Sequence, residues 1–121
     1  PDRAYAPARR RKVLVVDDNQ DSVESLAVLL ELKGHTVVKA SDGAAAIQLA
    51  GSEAPDLVIM DIGLPDMNGY EVARRIRGLR ANVTIVALTG WAGPKDRERS
   101  ASEGFDAHWA KPFDLQQLDA L

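Results

Sequence analysis

Three carboxylates follow two short apolar runs of the sequence. Asp17 and Asp18 come after the run 13–16, and Asp61 comes after the run 57–60. Apolar runs of this length between polar residues are typical of strands buried on both faces. Ligands of open parallel sheets bind beyond the carboxyl ends of the strands. Crowded acids repel one another unless they share a cation, and their hard oxygen ligands suit Mg²⁺ or Mn²⁺. The pattern therefore predicts a divalent-metal site at the edge of a sheet.

Two further polar residues follow later segments that we predict to be strands. Thr89 comes after the predicted strand 83–88, and Lys111 comes after the predicted strand 105–110. A hydroxyl and an ammonium group beside a metal-bound carboxylate form a cradle for an anion, and a phosphoryl group fits such a cradle. The carboxylate of Asp61 on the central strand is then the natural nucleophile, which would form an acyl phosphate.

Strand and helix patterns alternate along the chain. We predict strands at 13–16, 36–40, 57–60, 83–88 and 105–110, and helices at 21–33, from the cap Asp42 to about 50, from the cap Asn68 to about 79, at 94–104 and from 114 onwards. This alternation predicts an α/β domain, a doubly wound five-stranded parallel sheet with helices on both faces. Its small size favours the flavodoxin-like order 2-1-3-4-5 over the nucleotide-binding order. We expect residues 1–11 to be a linker or tail and 12–121 to be the domain, with its last helix truncated.

The composition excludes several kinds of protein. The chain has 121 residues, no cysteine and a net charge of −3, so disulfides, zinc–thiolate sites and thiol catalysis are excluded. The negative charge argues against nucleic-acid binding, and no apolar stretch approaches the ~20 residues that span a bilayer. We expect a cytoplasmic domain without nucleic-acid or membrane contacts through this segment. The sequence does not indicate an oligomeric state.

Four segments resemble the receiver domain of two-component response regulators. They are Val-Val-Asp-Asp-Asn at 15–19, Met-Asp-Ile-Gly-Leu-Pro-Asp-Met-Asn-Gly at 60–69, Leu-Thr-Gly at 88–90 and Lys-Pro-Phe at 111–113. The resemblance covers 12–121. It implies that Asp61 is the phosphoacceptor, that Asp18 binds Mg²⁺ directly and Asp17 through water, and that the backbone carbonyl of Gly63 is a further metal ligand.

The same resemblance assigns a signalling role to three later residues. Thr89 matches the switch hydroxyl, and Lys111 matches the lysine that contacts the phosphoryl group. The family usually places an aromatic residue three positions before that lysine, where this chain has His108. We expect His108 to be a partly buried side chain at the switch position. The implied phosphodonor is a phosphohistidine of a histidine kinase or His-phosphotransfer domain, and the implied phosphoryl group is lost by slow self-dephosphorylation.

The sequence is also compatible with one other function and with two kinds of parent protein. A pseudo-receiver that serves only as a docking module is the main alternative, and phosphate uptake on Asp61 separates the two. The Arg-rich segment 1–11 favours a hybrid sensor histidine kinase as the parent protein over a response regulator whose output domain has been removed. Such a module catalyses its own phosphoryl transfer and hydrolysis, so its status as an enzyme depends on the parent. His35, after a glycine turn, is expected at the surface.

Overall fold

A computed structural model of the chain describes residues 11–80, 82–90, 104–110 and 116. Five strands form one parallel sheet: β1 (Lys12–Val16), β2 (Thr36–Ala40), β3 (Leu57–Met60), β4 (Thr84–Thr89) and β5 (Ala107–Ala110). Three helices are described: α1 (Gln20–Leu32), α2 (Gly43–Glu53) and α3 (Gly69–Leu79). The strand order is β2-β1-β3-β4-β5. The predicted parallel fold and its strand order are therefore confirmed.

The sheet separates two apolar layers. Alternate residues of each inner strand point to opposite faces, as the period of a strand requires. On one face Leu14 and Val58 belong to a cluster with residues of α2 and α3, such as Ile76. On the other face Val15 and Ile59 belong to a cluster with three residues of α1, Val23, Leu26 and Leu30. Helices therefore cover both faces, and the continuous apolar runs of β1 and β3 follow from burial on both sides.

Helix α1 begins and ends close to the predicted residues. Asn19 is its N-cap, because the side-chain oxygen accepts a hydrogen bond from the backbone N–H of Ser22 at 3.1 Å. The helix ends at Leu32, and Gly34 follows with a φ of 93°, a conformation that glycine adopts without steric cost. The N-cap of α1 is therefore Asn19 and not Asp17 or Asp18. Capping of this helix does not account for the two aspartates at the edge of the sheet.

Helix α2 extends about one turn beyond its predicted end. Its last turn contains Gly51 and Ser52, which are poor helix formers. The guanidinium of Arg80 donates to the carbonyl of Gly51 at 2.8 Å and to that of Ala50 at 3.3 Å, so a distant side chain satisfies this end of the helix. The helix stops at Ala54, a non-glycine residue with a φ of 48°. Helix α3 matches the prediction, with Asn68 as its N-cap.

The last two described strands are displaced from their predicted bounds. Strand β4 begins at Thr84, because the N–H of Val83 closes a turn onto the carbonyl of Arg80 at 3.2 Å. Strand β5 begins at Ala107, two residues later than predicted. The N–H of Ile85 donates to the carboxylate of Asp106 at 2.7 Å. Its acceptor is therefore a side chain and not a backbone carbonyl of a neighbouring strand. The predicted helices at 94–104 and from 114, and the predicted tail 1–11, lie outside the described ranges apart from Arg11, Gly104 and Gln116.

His35 does not lie at the surface as expected. It is 6% exposed, and its Nδ1 accepts a hydrogen bond from the backbone N–H of Arg11 at 3.1 Å. The residue directly precedes β2, and its hydrogen bond to the backbone of Arg11 joins residues 24 positions apart, which the local sequence does not reveal. None of the helices in the described ranges has the length and apolar character needed to cross a membrane.

Candidate functional site

Three carboxylates meet at the carboxyl edge of the sheet. One ligand oxygen each of Asp17, Asp18 and Asp61 lies within 4.8 Å of the other two. Strands β1 and β3 are neighbours in register, with Val16 opposite Met60, so the residues after these strands emerge side by side. The N–H of Asp61 donates to the carbonyl of Val16 at 2.9 Å, which continues the ladder one step past the strand ends. The predicted convergence of the three acids is present.

The three carboxylates differ in their surroundings. Asp17 is only 6% exposed, and its Oδ1 accepts the backbone N–H of Asn19 at 3.0 Å, which fixes the turn into α1. Asp18 is exposed and Asp61 is half-buried. Oxygen ligands on opposite sides of an octahedral Mg²⁺ are about 4.2 Å apart, twice the ~2.1 Å bond. Neighbouring oxygen ligands of the same ion are about 3.0 Å apart. Small side-chain movements would bring three oxygens that lie within 4.8 Å of one another into these distances, so the donor set fits a hard divalent cation.

Gly63 lies beside Asp61. Its backbone N–H donates to Oδ1 of Asp61 at 2.9 Å, so the chain folds back over the carboxylate within two residues. A Cβ at position 63 would lie 3.8 Å from the same oxygen, an ordinary contact. Space at this position therefore does not require glycine, and a side chain there would cover part of Asp61.

The segment 61–68 between β3 and α3 is the acceptor loop. Its backbone turns tightly at Ile62, whose carbonyl accepts the N–H of Leu64 and the N–H of Gly69, both at 3.0 Å. A Cβ on Gly69 would lie 2.7 Å from Cα of Ile62, so this closure requires glycine. The close approach explains the glycine at the end of the 60–69 motif.

Asp66 in the acceptor loop was not among the predicted site residues. Its carboxylate accepts the backbone N–H groups of Gly43 at 2.8 Å and Ala44 at 3.0 Å, at the start of α2. The N–H of Gly43 and then that of Ala44 hold the pKa of Asp66 below its usual range. These partners are more than twenty residues away in sequence, so no local pattern could have indicated the contact.

The remaining predicted residues are described only in part. Thr89 is the last residue of β4, paired with Ala110, so its backbone reaches the same edge of the sheet as the acids. His108 in β5 is paired with Ala87 and is 9% exposed. The expected burial at this position is therefore present. Lys111 lies outside the described residues, as does the motif 111–113 that contains it.

A cavity of about 480 Å³ adjoins the carboxylates between α1 and the sheet. Six apolar and six polar residues line it, and Asp17 and Asp61 are among the polar ones. The apolar lining comes from Val15, Val16, Leu26, Leu29, Ile59 and Leu88. Concave pockets that combine apolar walls with a few polar groups are the usual form of ligand-binding sites, and two of the three clustered acids line this one.

Comparisons with known proteins agree with this geometry. The family model of the response regulator receiver domain matches residues 13–121. The alkaline phosphatase synthesis transcriptional regulatory protein PhoP of Bacillus subtilis is 36% identical over 110 residues, which make up 91% of this chain and 46% of PhoP. The chain thus spans about half the length of the curated relatives it matches.

Two solved structures are similar over nearly the whole chain. A response regulator protein from Burkholderia pseudomallei, solved with a phosphorylated aspartic acid, a calcium ion and citrate, has a TM-score of 0.85 at 29% identity, with 91% of this chain and 65% of that chain covered. The co-crystal structure of the Saccharomyces cerevisiae phosphotransfer protein Ypd1 with the receiver domain of Ssk1 gives a TM-score of 0.82 at 27% identity, with 90% and 83% covered. Sequence, fold and carboxylate cluster agree, and the chain belongs to the response regulator receiver domain family.

Proposed function

We propose that this receiver domain accepts a phosphoryl group on Asp61 from a phosphohistidine donor. The observation that carries the proposal is the carboxylate cluster, in which oxygens of Asp17, Asp18 and Asp61 lie within 4.8 Å of one another at the carboxyl edge of the sheet. A cluster used only to cap helices would not need three acids from two strands, and Asn19 already caps α1. The arrangement is what a carboxylate nucleophile beside a cation requires.

Asp17, Asp18, Asp61 and the backbone carbonyl of Gly63 would hold Mg²⁺ or Mn²⁺. A bound cation would neutralise charge on the oxygens of the transferred phosphoryl group. In the transfer, a carboxylate oxygen of Asp61 forms a bond to phosphorus while the bond from phosphorus to the donor imidazole nitrogen breaks. The imidazole leaves with its electron pair and takes up a proton, and Asp61 becomes an acyl phosphate. Attack of water on phosphorus later reverses the modification slowly.

The backbone around Asp61 supports this role. The Gly63 N–H lies 2.9 Å from Oδ1 of Asp61, so a fixed donor stands where negative charge would accumulate. Lys111 and Thr89 are included in the proposed site because they belong to the motifs at 111–113 and 88–90. Lys111 would contact the phosphoryl group, and Thr89 would act as the switch hydroxyl.

His108 would take the switch position that usually holds an aromatic residue. It lies buried in β5, which pairs with β4, and β4 separates it from β3, the strand that precedes Asp61. Phosphorylation can signal only by favouring one of two arrangements, so a side chain near Thr89 that changes its packing is needed. A polar imidazole at this position would make the coupling between Thr89 and β5 differ from that of an aromatic ring.

The proposed donor is a histidine kinase or a His-phosphotransfer domain. The similar receiver of Ssk1 was crystallised with the histidine phosphotransfer protein Ypd1, which supports a donor of this class. We propose residues 1–11 as a linker and 12–121 as the domain, in a cytoplasmic protein. A hybrid sensor histidine kinase is our proposed parent. A response regulator with an output domain is the second candidate, because the curated relatives include transcriptional regulators.

Phosphate uptake tests the proposal. The purified domain is incubated with Mg²⁺ and an acyl phosphate as a small phosphodonor, and its intact mass is measured. We expect a mass increase of one phosphoryl group that is stable in acid and lost in base, and no increase in Asp61→Asn. Asp21→Asn is the matched control, because Asp21 lies in the first turn of α1 beside the cavity but outside the carboxylate cluster. Equal uptake by Asp61→Asn and the parent protein, or no uptake by the parent, would reject the assignment in favour of a docking module.

A further inference from the structure

The acceptor loop is bonded to a helix that carries none of the predicted site residues. Oδ1 of Asp66 accepts the N–H of Gly43 at 2.8 Å, and Oδ2 accepts the N–H of Ala44 at 3.0 Å. Both donors belong to the first turn of α2. The hydrogen bonds that the carbonyl of Ile62 accepts come from within the loop and from the first residue of α3, which follows it. The hydrogen bonds that Asp66 accepts come from α2, which is distant in sequence. Asp66 therefore fixes the loop to the body of the domain.

The first residue of α2, Gly43, is in close contact with the acceptor loop. A Cβ on Gly43 would lie 2.6 Å from Cγ of Met67 and 2.8 Å from Cγ2 of Val72. The loop thus packs directly on the helix backbone, and glycine allows this approach. Hydrogen bonds and close packing act on the same short segment, so the position of the loop depends on its contact with α2.

Two aspartates, Asp42 and Asp66, accept the N–H groups of the first three residues of α2. Asp42, the N-cap, accepts the N–H of Ala45 at 2.8 Å, while Asp66 accepts those of Gly43 and Ala44. The carboxylate of Asp66 also lies at the positive end of the helix dipole, where negative charge is favoured. The two bonds hold the pKa of Asp66 below its usual range, with the Gly43 bond as the larger cause.

We propose that Asp66 is a positioning residue for the phosphoryl site. By holding the acceptor loop against α2, it holds the backbone of Gly63 beside the carboxylate of Asp61. Asp66 itself contacts neither the cation nor the phosphoryl group. The inference rests on the proposed function, since it concerns how the Gly63 carbonyl is placed for the cation. Partners of this kind, which orient a ligand without binding the metal, are needed for full metal affinity.

The test measures how the phosphorylation rate depends on Mg²⁺ concentration. It also measures how far Mg²⁺ alone, without a phosphodonor, raises the unfolding temperature, and Asp66→Ala should need more Mg²⁺ than the parent protein for the same rise. The parent protein, Asp66→Ala, Asp66→Asn and Asp42→Ala are treated with an acyl phosphate over a range of Mg²⁺ concentrations. In Asp66→Ala we expect the Mg²⁺ concentration for half-maximal rate to rise about tenfold. The maximal rate should change much less, because the nucleophile is intact. Asp66→Asn should give an intermediate shift, because its amide offers one acceptor oxygen for two donors.

Asp42→Ala separates positioning from helix stability. It removes a capping bond from the same turn of α2 but leaves the link to the loop in place. We expect it to lower the unfolding temperature without changing the Mg²⁺ dependence. If the phosphorylation rates of both Asp66 variants depend on Mg²⁺ concentration in the same way as those of Asp42→Ala and the parent protein, the positioning role is overturned. If the parent protein takes up no phosphate, or Asp61→Asn takes it up at the parental rate, the failure lies in the proposed function instead.

Discussion

The guanidinium of Arg77 lies 2.7 Å from Oδ2 of Asp106. Arg77 belongs to α3, and Asp106 directly precedes β5. The same guanidinium donates to the carbonyl of Gly104 at 2.8 Å and to that of Val83, while Oδ2 of Asp106 also accepts the N–H of Ile85 at 2.7 Å. One ion pair thus joins α3 to the beginnings of β4 and β5, at the sheet edge opposite the carboxylate cluster.

We predict that Asp106→Ala destabilises the domain. The substitution removes an ion pair and leaves the N–H of Ile85 without its acceptor, so the free energy of unfolding should fall by about 1–2 kcal/mol. Urea unfolding measures the change. Glu71→Ala is the control, because Glu71 pairs with Arg74 and Arg75 on the surface of α3, where solvent screening leaves ion pairs with little effect on stability. A loss no larger than that of the control would mean that Asp106 does not join the two strands.

Ala54 offers a stabilising substitution. It ends α2 with a φ of 48° and a ψ of 58°, the left-handed region that costs an L-residue about 1 kcal/mol or more. Ala54→Gly relieves this strain but adds flexibility to the unfolded chain, so we expect a net gain of roughly 0.5 kcal/mol. Thermal unfolding is the measurement. Gln48→Gly, in the exposed middle of the same helix, should instead destabilise by about 1 kcal/mol. A loss of stability in Ala54→Gly would contradict the strain argument.

The architecture and the carboxylate cluster were predictable from sequence. Apolar runs of four or five residues indicate buried parallel strands, and a parallel sheet brings the ends of its strands to one edge. Asp17, Asp18 and Asp61 therefore had to meet once β1 and β3 were neighbours. The N-caps Asn68 and Asp42 were also predictable, because capping depends on residues three or fewer positions apart.

The contacts that sequence did not predict all join distant residues. Asp66 accepts hydrogen bonds from the first turn of α2, and Arg80 donates to carbonyl groups at the end of α2. The backbone N–H of Arg11 donates to the ring of His35. Each depends on how elements pack, and the local sequence around each residue is compatible with a solvated side chain. The late start of β5 has the same origin, because the acceptor of the Ile85 N–H is a side chain of Asp106 rather than a strand carbonyl.

Magnesium should stabilise the domain through the carboxylate cluster. A ligand bound only by the native state raises the free energy of unfolding by mass action, about 1.4 kcal/mol at ten times its Kd. We expect the unfolding temperature to rise with millimolar Mg²⁺ and Asp18→Ala to lose most of that rise. Asp21→Ala removes a nearby charge outside the cluster and should keep the rise. An equal rise in Asp18→Ala and the parent protein would place the cation elsewhere.

The pH dependence of stability should follow from three exposed groups with shifted pKa values. In the folded domain, hydrogen bonds from Gly43 and Ala44 lower the pKa of Asp66 from its usual 3.8, and those from Arg75 and Arg74 lower that of Glu71 from 4.5. The unfolded chain therefore binds more protons in this range, and stability is lost as the pH falls from about 5 through the lowered values.

The variant Asp66→Asn should consequently lose less stability than the parent protein over this acid range, and Glu71→Gln should behave likewise. Lys39 provides a control of opposite sign, because its hydrogen bond to Glu24 raises the pKa of its ammonium group above the usual 10.5. Its contribution is complete below that value and is lost as the pH rises through the raised pKa. Lys39→Gln should therefore alter the alkaline limb of a urea-unfolding series and leave the acid limb unchanged. An acid limb that is equally steep in Asp66→Asn and the parent protein would show that the link between the acceptor loop and α2 does not depend on the charge of Asp66.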